Sequence, residues 1–254
     1  VLLRHLDLFS GIGGFALAAD WVWGEEHEIV SFVEIDPFCQ KVLKKHWPDV
    51  PIHGDIKTFD AKAYSNVDLV TGGFPCQPFS VAGERTGTED DRYLWPEMLQ
   101  IIRTIQPAWV IGENVTGILN MGFSDMLAEL ETSGFECQSF IIPACAVGAY
   151  HRRDRVWFVA NSKLFRRVCG VGENNVRKKV GGKNKAIWSK NGFKSTLAPV
   201  GDKRIFWEWT YQSRMARVVN GIPNHMDRLK SHGNAIVPQV VVPIMQAIKE
   251  IERY

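Results

Sequence analysis

The sequence predicts an open, doubly wound α/β fold, a mostly parallel sheet flanked by helices, with a small irregular second lobe. Three observations carry this. From Leu2 to Ala160 short β-rich runs alternate with amphipathic stretches, the rhythm of strands joined by crossover helices. The first of these strands runs into a glycine-rich turn, Asp7-Leu8-Phe9-Ser10-Gly11-Ile12-Gly13-Gly14-Phe15, at the start of a helix. Residues 161–205 then break this rhythm, being rich in Gly, Asn, Lys and Ser with little periodicity.

Taken in order, strands are predicted at Leu3 to Leu8, Glu28 to Val33, Leu69 to Gly72, Trp109 to Glu113, Glu136 to Pro143 and Arg155 to Ala160. Helices are predicted between them at Gly14 to Trp23, Pro37 to Trp47, Trp95 to Ile105 and Phe123 to Ser133, where apolar residues recur at helical spacing. Ordered character returns at Met215 to Gly221. The sequence closes on Pro238 to Glu252, whose Val, Ile and Met spacing suits a helix packed back on the first domain.

A chain of 254 residues with 45% hydrophobic content can bury a full α/β core. No run approaches the roughly 18 to 20 apolar residues of a membrane span, and no charged-then-apolar leader pattern opens the sequence, so a cytoplasmic protein is expected. Cys39, Cys76, Cys137, Cys145 and Cys169 are scattered and form no C-x-x-C pair, which argues against a disulfide framework and against zinc. No metal is predicted. The formal net charge of +2 hides an asymmetry: residues 161–217 hold 14 Lys+Arg against 3 Asp+Glu, and the remainder holds 16 against 25. A basic segment interleaved with Trp188, Phe193, Phe206, Trp207, Trp209 and Tyr211 on an acidic body suggests a docked polyanion, with a solvated lysine-rich loop as the alternative.

The glycine-rich turn lies where open α/β sheets bind ligands, outside the carboxyl ends of the strands. Phe9, Ser10, Gly11, Gly13 and Gly14 would bring backbone close to a ligand, and the helix N-terminus favours an anionic group. Phe32-Val33-Glu34 ends a second strand in a carboxylate about 20 residues beyond the glycines, the position from which an acidic group grips ribose hydroxyls. Ile35 follows it. Gly54-Asp55-Ile56 would add an acidic group and an apolar contact near an adenine, with Phe15 covering one face of the ring. Ordinary strand-end carboxylates are the alternative for Glu34 and Asp55.

Gly72-Gly73-Phe74-Pro75-Cys76-Gln77-Pro78-Phe79-Ser80 follows a strand with a cysteine in a proline-bracketed loop. Here the sequence resembles the DNA (cytosine-5)-methyltransferases of bacteria and phages, whose Pro-Cys-Gln loop carries a nucleophile. The resemblance extends in order through Glu34, Gly54-Asp55-Ile56, Glu113-Asn114-Val115, His151-Arg152-Arg153-Asp154-Arg155 and Gly233-Asn234-Ala235-Ile236-Val237-Pro238. It implies a Rossmann-like methyltransferase sheet. It also implies S-adenosylmethionine as cofactor, leaving S-adenosylhomocysteine, with Gly73, Pro75, Asn234 and Ala235 completing the cofactor site. Cys76 would add to carbon 6 of cytosine, Glu113 would serve nitrogen 3, and Arg155, with Arg153 beside it, would stabilise the intermediate. His151 departs from the family's usual Gln.

The same resemblance makes the catalytic domain discontinuous, residues 1–160 plus 218–254, with 161–217 as the target-recognition lobe on double-stranded DNA. The cytosine would be turned out of the duplex, with the loop from Ser80 to Arg92 as its lid, an ordinary mobile surface loop being the alternative. A short lobe implies a short recognition site. A monomer is expected, and a cognate restriction endonuclease is a candidate partner. Two rival readings stand: methylation of carbon 5 in transfer RNA, and a non-catalytic DNA-binding relative.

Overall fold

The computed structural model describes residues 2–75, 93–120, 122–162 and 225–252. The Cys76 loop to Arg92, most of the basic segment and the predicted order at Met215 to Gly221 lie outside them. The strands are β1 (Leu3–Leu8), β2 (His27–Val33), β3 (Ile52–His53), β4 (Leu69–Gly72), β5 (Trp109–Val115), β6 (Phe135–Pro143) and β7 (Asp154–Ser162). They form one sheet in the order β3-β2-β1-β4-β5-β7-β6. The first five are parallel, while β7 runs antiparallel to both β5 and β6. The strand order reverses between β1 and β4, so the carboxyl ends of β1, β2, β4 and β5 open onto one edge with a switch point at its centre.

Helices α1 (Gly14–Trp23), α2 (Pro37–His46), α3 (Trp95–Ile105) and α4 (Phe123–Thr132) follow β1, β2, β4 and β5. The alternation of side chains along each strand builds two cores. Leu6, Leu8, Val70, Val110, Val156 and Phe158 pack with α3 and α4 on one face. Leu3, Leu69, Trp109, Ile111 and Trp157 pack with α1 and with α6 (Pro238–Glu252) on the other. Asp36 caps α2 by accepting from the Phe38 and Cys39 N–H groups, and Pro37 fills the first helical position, where no N–H is needed.

By contacts the chain divides into two compact units, Val1–Cys169 with Ala235–Tyr254, and Gly170–Asn234. The first is discontinuous in the sequence. In the second, helix α5 (His225–Asn234) is described, its Ser231 hydroxyl donating to the Asp227 carbonyl at 2.6 Å. Among the described residues no helix is long and apolar enough to cross a membrane.

Candidate active site

The turn after β1 is held from inside. Phe9 has φ of 52°, and the buried Ser10 hydroxyl donates to the Asp7 carbonyl at 2.6 Å, which closes the chain back on the strand. Gly11, with φ of 55°, has open space where a side chain would stand. The next two glycines have packing reasons: a Cβ on Gly13 would stand 2.5 Å from the Trp47 ring, and one on Gly14 would stand 2.6 Å from Ile236. Segment 235–238 thus runs beside the turn, and the Arg153 Nη2 donates to the Ala235 carbonyl at 2.8 Å, fixing it from β7's side. Asn234 ends helix α5 in the other unit.

Glu34 follows β2 and is 9% exposed. Its Oε2 accepts the Gly11 N–H at 2.6 Å and its Oε1 accepts the Asp36 N–H at 2.7 Å. One carboxylate therefore ties the turn to the start of α2, with lone pairs left for a hydroxyl pair. Burial pushes Glu34 up from the usual carboxylate range, against the pull of the Asp36 and Gly11 N–H groups. Ile35 stands beside it as an apolar side chain 72% exposed. Asp55 accepts from the Lys57 N–H at 2.9 Å, and Ile56 is buried behind it. An open glycine, a bidentate carboxylate and an exposed apolar surface suit a ligand with a ribose and a flat base, as S-adenosylmethionine has.

Phe15 is 3% exposed and meets the Trp157 ring edge-on at 6.0 Å, inside the core shared with α6. As the second residue of α1 it falls on the helix face that packs onto the sheet. The aromatic side chain on the turn itself is the half-buried Phe9.

The second cluster lies across the switch point. Glu113 of β5 is 8% exposed, and its Oε1 meets the Arg155 Nε at 2.9 Å. The pairing follows from register: Glu113 lies opposite Trp157 and Arg155 opposite Val115, which places both side chains on one face of the antiparallel pair. Burial raises the Glu113 carboxyl to about 7, outweighing the opposing pull of Arg155 and Arg153. A Cβ on Gly73 would stand 3.5 Å from Glu113 Oε2, so the chain leaving β4 passes directly over this carboxylate.

Asn114, to which the sequence reading gave no role of its own, anchors that passage by donating from Nδ2 to the Phe74 carbonyl at 3.1 Å. Its signal was available: an amide side chain buried at 4% within a β-strand needs a backbone partner. Pro75 leads from here into Cys76, which lies outside the described residues. His151 is exposed on the approach to β7.

A sheet of order 3-2-1-4-5-7-6 with a glycine turn after its first strand and a carboxylate after its second is a Rossmann-like methyltransferase sheet. Residues 3–204 match the family model of the C-5 cytosine-specific DNA methylases, and the chain belongs to that family. It is 34% identical over 160 residues to the Type II methyltransferase M.NgoMIV of Neisseria gonorrhoeae, covering 61% of this chain and 50% of the relative. It is 30% identical over 221 residues to the orphan methyltransferase M.SPRI of Bacillus phage SPR, covering 83% of this chain and 47% of the relative. The chain spans about half the length of these curated relatives. Among solved structures, a triple mutant of Spodoptera frugiperda DNMT2 superposes with a TM-score of 0.54 at 26% identity, covering 63% of this chain and 50% of that one. A prophage-encoded putative DNA modification methyltransferase from E. coli gives 0.54 at 25%, covering 65% and 48%.

Proposed function

We propose that this chain transfers a methyl group from S-adenosylmethionine to carbon 5 of cytosine in a short duplex DNA sequence. The observation that carries the reading is the pairing of buried Glu113 with Arg155 under the Gly73–Pro75 segment, which leads straight into the only cysteine of a proline-bracketed loop. Carbon 5 of cytosine is a weak nucleophile, so the Cys76 thiolate first bonds to carbon 6. The electron pair displaced by that bond loads the ring. Glu113, raised to about 7, can hold a proton at neutral pH and give it to nitrogen 3, while Arg155 balances the charge beside it. S-adenosylmethionine supplies the electrophilic methyl group. Loss of the carbon 5 proton to a base then expels Cys76 and restores the aromatic ring. Glu34, Ile35 and the turn at Phe9–Gly11 hold the cofactor, and Asp55 and Ile56 border its base.

Such chemistry needs the cytosine out of the stack, and the basic 161–217 segment would hold the duplex. Bisulfite sequencing tests the whole reading, using plasmid from bacteria without cytosine methylation of their own that express this chain or its Cys76→Ala variant. Protected cytosines in one short motif with the wild-type chain alone are expected. No protection from a folded, cofactor-binding chain would overturn it, and methyl transfer to transfer RNA in a side-by-side assay would put the RNA reading in its place.

A further inference from the structure

A line of five polar side chains crosses the sheet behind the cofactor turn. Asp20 on α1, 40% exposed, meets His27 Nδ1 at 2.7 Å. His27 Nε2 meets His5 Nδ1 at 3.0 Å, His5 Nε2 meets the Thr71 hydroxyl at 2.7 Å, and Thr71 meets Asp7 Oδ1 at 2.6 Å. His5, Asp7 and Thr71 have no solvent exposure at all. The other Asp7 oxygen, Oδ2, is buried with no hydrogen-bond partner. Asp7 stands two residues before Phe9, and the Ser10 hydroxyl rests on its carbonyl.

Four contacts need four hydrogens, and with a neutral His5 and a carboxylate at Asp20 two arrangements complete them. In one, neutral Asp7 donates to Thr71, Thr71 to His5 Nε2, His5 Nδ1–H to His27, and His27 Nδ1–H to the Asp20 carboxylate. In the other, Thr71 donates to an Asp7 carboxylate, His5 Nε2–H to Thr71, and a doubly protonated His27 to both His5 and Asp20. The two hold the same number of protons. They interconvert when three protons each move one link: from Asp7 O–H to Thr71, from Thr71 O–H to His5 Nε2, and from His5 Nδ1 to His27 Nε2. Each move breaks one O–H or N–H bond and makes another, and nothing is oxidised or reduced. The net result is one negative charge at Asp7 and one positive charge at His27 beside Asp20.

We infer that Thr71, His5 and His27 form a proton relay that switches the charge of Asp7 at the root of the turn, so that Asp7 favours a cationic cofactor over its neutral product. This rests on the S-adenosylmethionine reading above: a sulfonium carries one positive charge more than the thioether left after transfer. Burial favours the neutral form in the free protein, pushing Asp7 up to about 8 against the pull of the Thr71 hydroxyl, with the nearby Glu34 adding to the rise. His5 is held neutral by its burial and by His27, as both arrangements require. The charged groups around the line are Asp20 from α1, His27 from β2, and Glu34 with Asp36 after it; Trp47 Nε1 donates to the second Asp20 oxygen at 3.3 Å. A positive charge arriving at the turn favours the ionised Asp7, and its loss on methyl transfer lets the proton return. Product release is thereby assisted.

The test is calorimetric titration of the full chain at pH 7 with S-adenosylmethionine and with S-adenosylhomocysteine, for wild type, Asp7→Asn, Thr71→Val and Thr71→Ser. The preference of the wild type for the sulfonium ligand should fall about 5-fold or more in Asp7→Asn and Thr71→Val, the scale of a modest coupling between sites. Thr71→Ser, which keeps the hydroxyl, should retain it. Nitrogen-15 spectra of the wild-type imidazoles supply a readout independent of variant folding: His27 should carry two protons with S-adenosylmethionine and one with S-adenosylhomocysteine. An unchanged preference in both disabled variants, or one protonation state of His27 in both complexes, would overturn the relay. A wild-type chain that binds neither ligand would instead remove the cofactor reading, and the relay with it.

Discussion

Glu113 is the residue on which structure and chemistry bear most directly. Its folded pKa, raised to about 7, lies above the ordinary value of 4.5, so the stability of its protonated form is complete below about 4.5 and lost as pH rises through about 7. A glutamine at 113 does not titrate. The melting temperature of Glu113→Gln should therefore gain on that of the wild type between pH 5 and pH 8, and a constant difference would show that Glu113 stays ionised throughout. The same variant should lose about 10²–10⁴-fold in methylation rate, the usual worth of a positioned acid or base, measured by single-turnover transfer to DNA. Glu34→Ala should act on binding instead. It removes the carboxylate that joins Gly11 to Asp36, and S-adenosylmethionine affinity should weaken with little change in the pH profile of the chemical step. Both positions stood out in the sequence because an acid at a strand end beside glycines is rare without a purpose, and both are buried in the structure. Two phenylalanines bracket the turn, and only the helix geometry says which of them faces the core: Phe15 packs edge-on against Trp157.

At the scale of elements, most strands and helices were legible from periodicity, and the departures have physical causes. Strand β3 is two residues long, too short to show any alternation. The predicted β6 and β7 are present, but a sheet read as mostly parallel turns antiparallel there, because direction is a property of pairing and not of pattern. Strand β5 holds a constraint that periodicity misses altogether. Gly112 lies opposite Phe158, and a Cβ on Gly112 would overlap the Phe158 ring. Gly112→Ala should destabilise by about 1–3 kcal/mol through overpacking, seen in urea melts, and would splay the β5–β7 pair that aligns Glu113 with Arg155. A smaller ring partner should relieve it: Gly112→Ala with Phe158→Leu is expected to recover part of the loss.

For the whole molecule, the charge asymmetry read from the sequence sets the expectation for DNA. With 14 Lys+Arg concentrated in residues 161–217, duplex affinity should fall steeply as salt rises, with a log–log slope of about −0.9 for each phosphate neutralised. Fluorescence anisotropy on a labelled duplex gives that slope, and a flat one would remove the basic segment from DNA binding.

The wedge of Ile236 against Gly14 carries a consequence for the order in which the protein is made. Ile236 leaves the ribosome about 220 residues after Gly14, and α6, which seals the core over α1, comes later still. At about 5–20 residues per second, the turn waits roughly ten to forty-five seconds for its missing wall. A truncated translation product ending before Ile236 would thus carry the glycine turn without the side chain that packs on Gly14 and without the helix that covers α1.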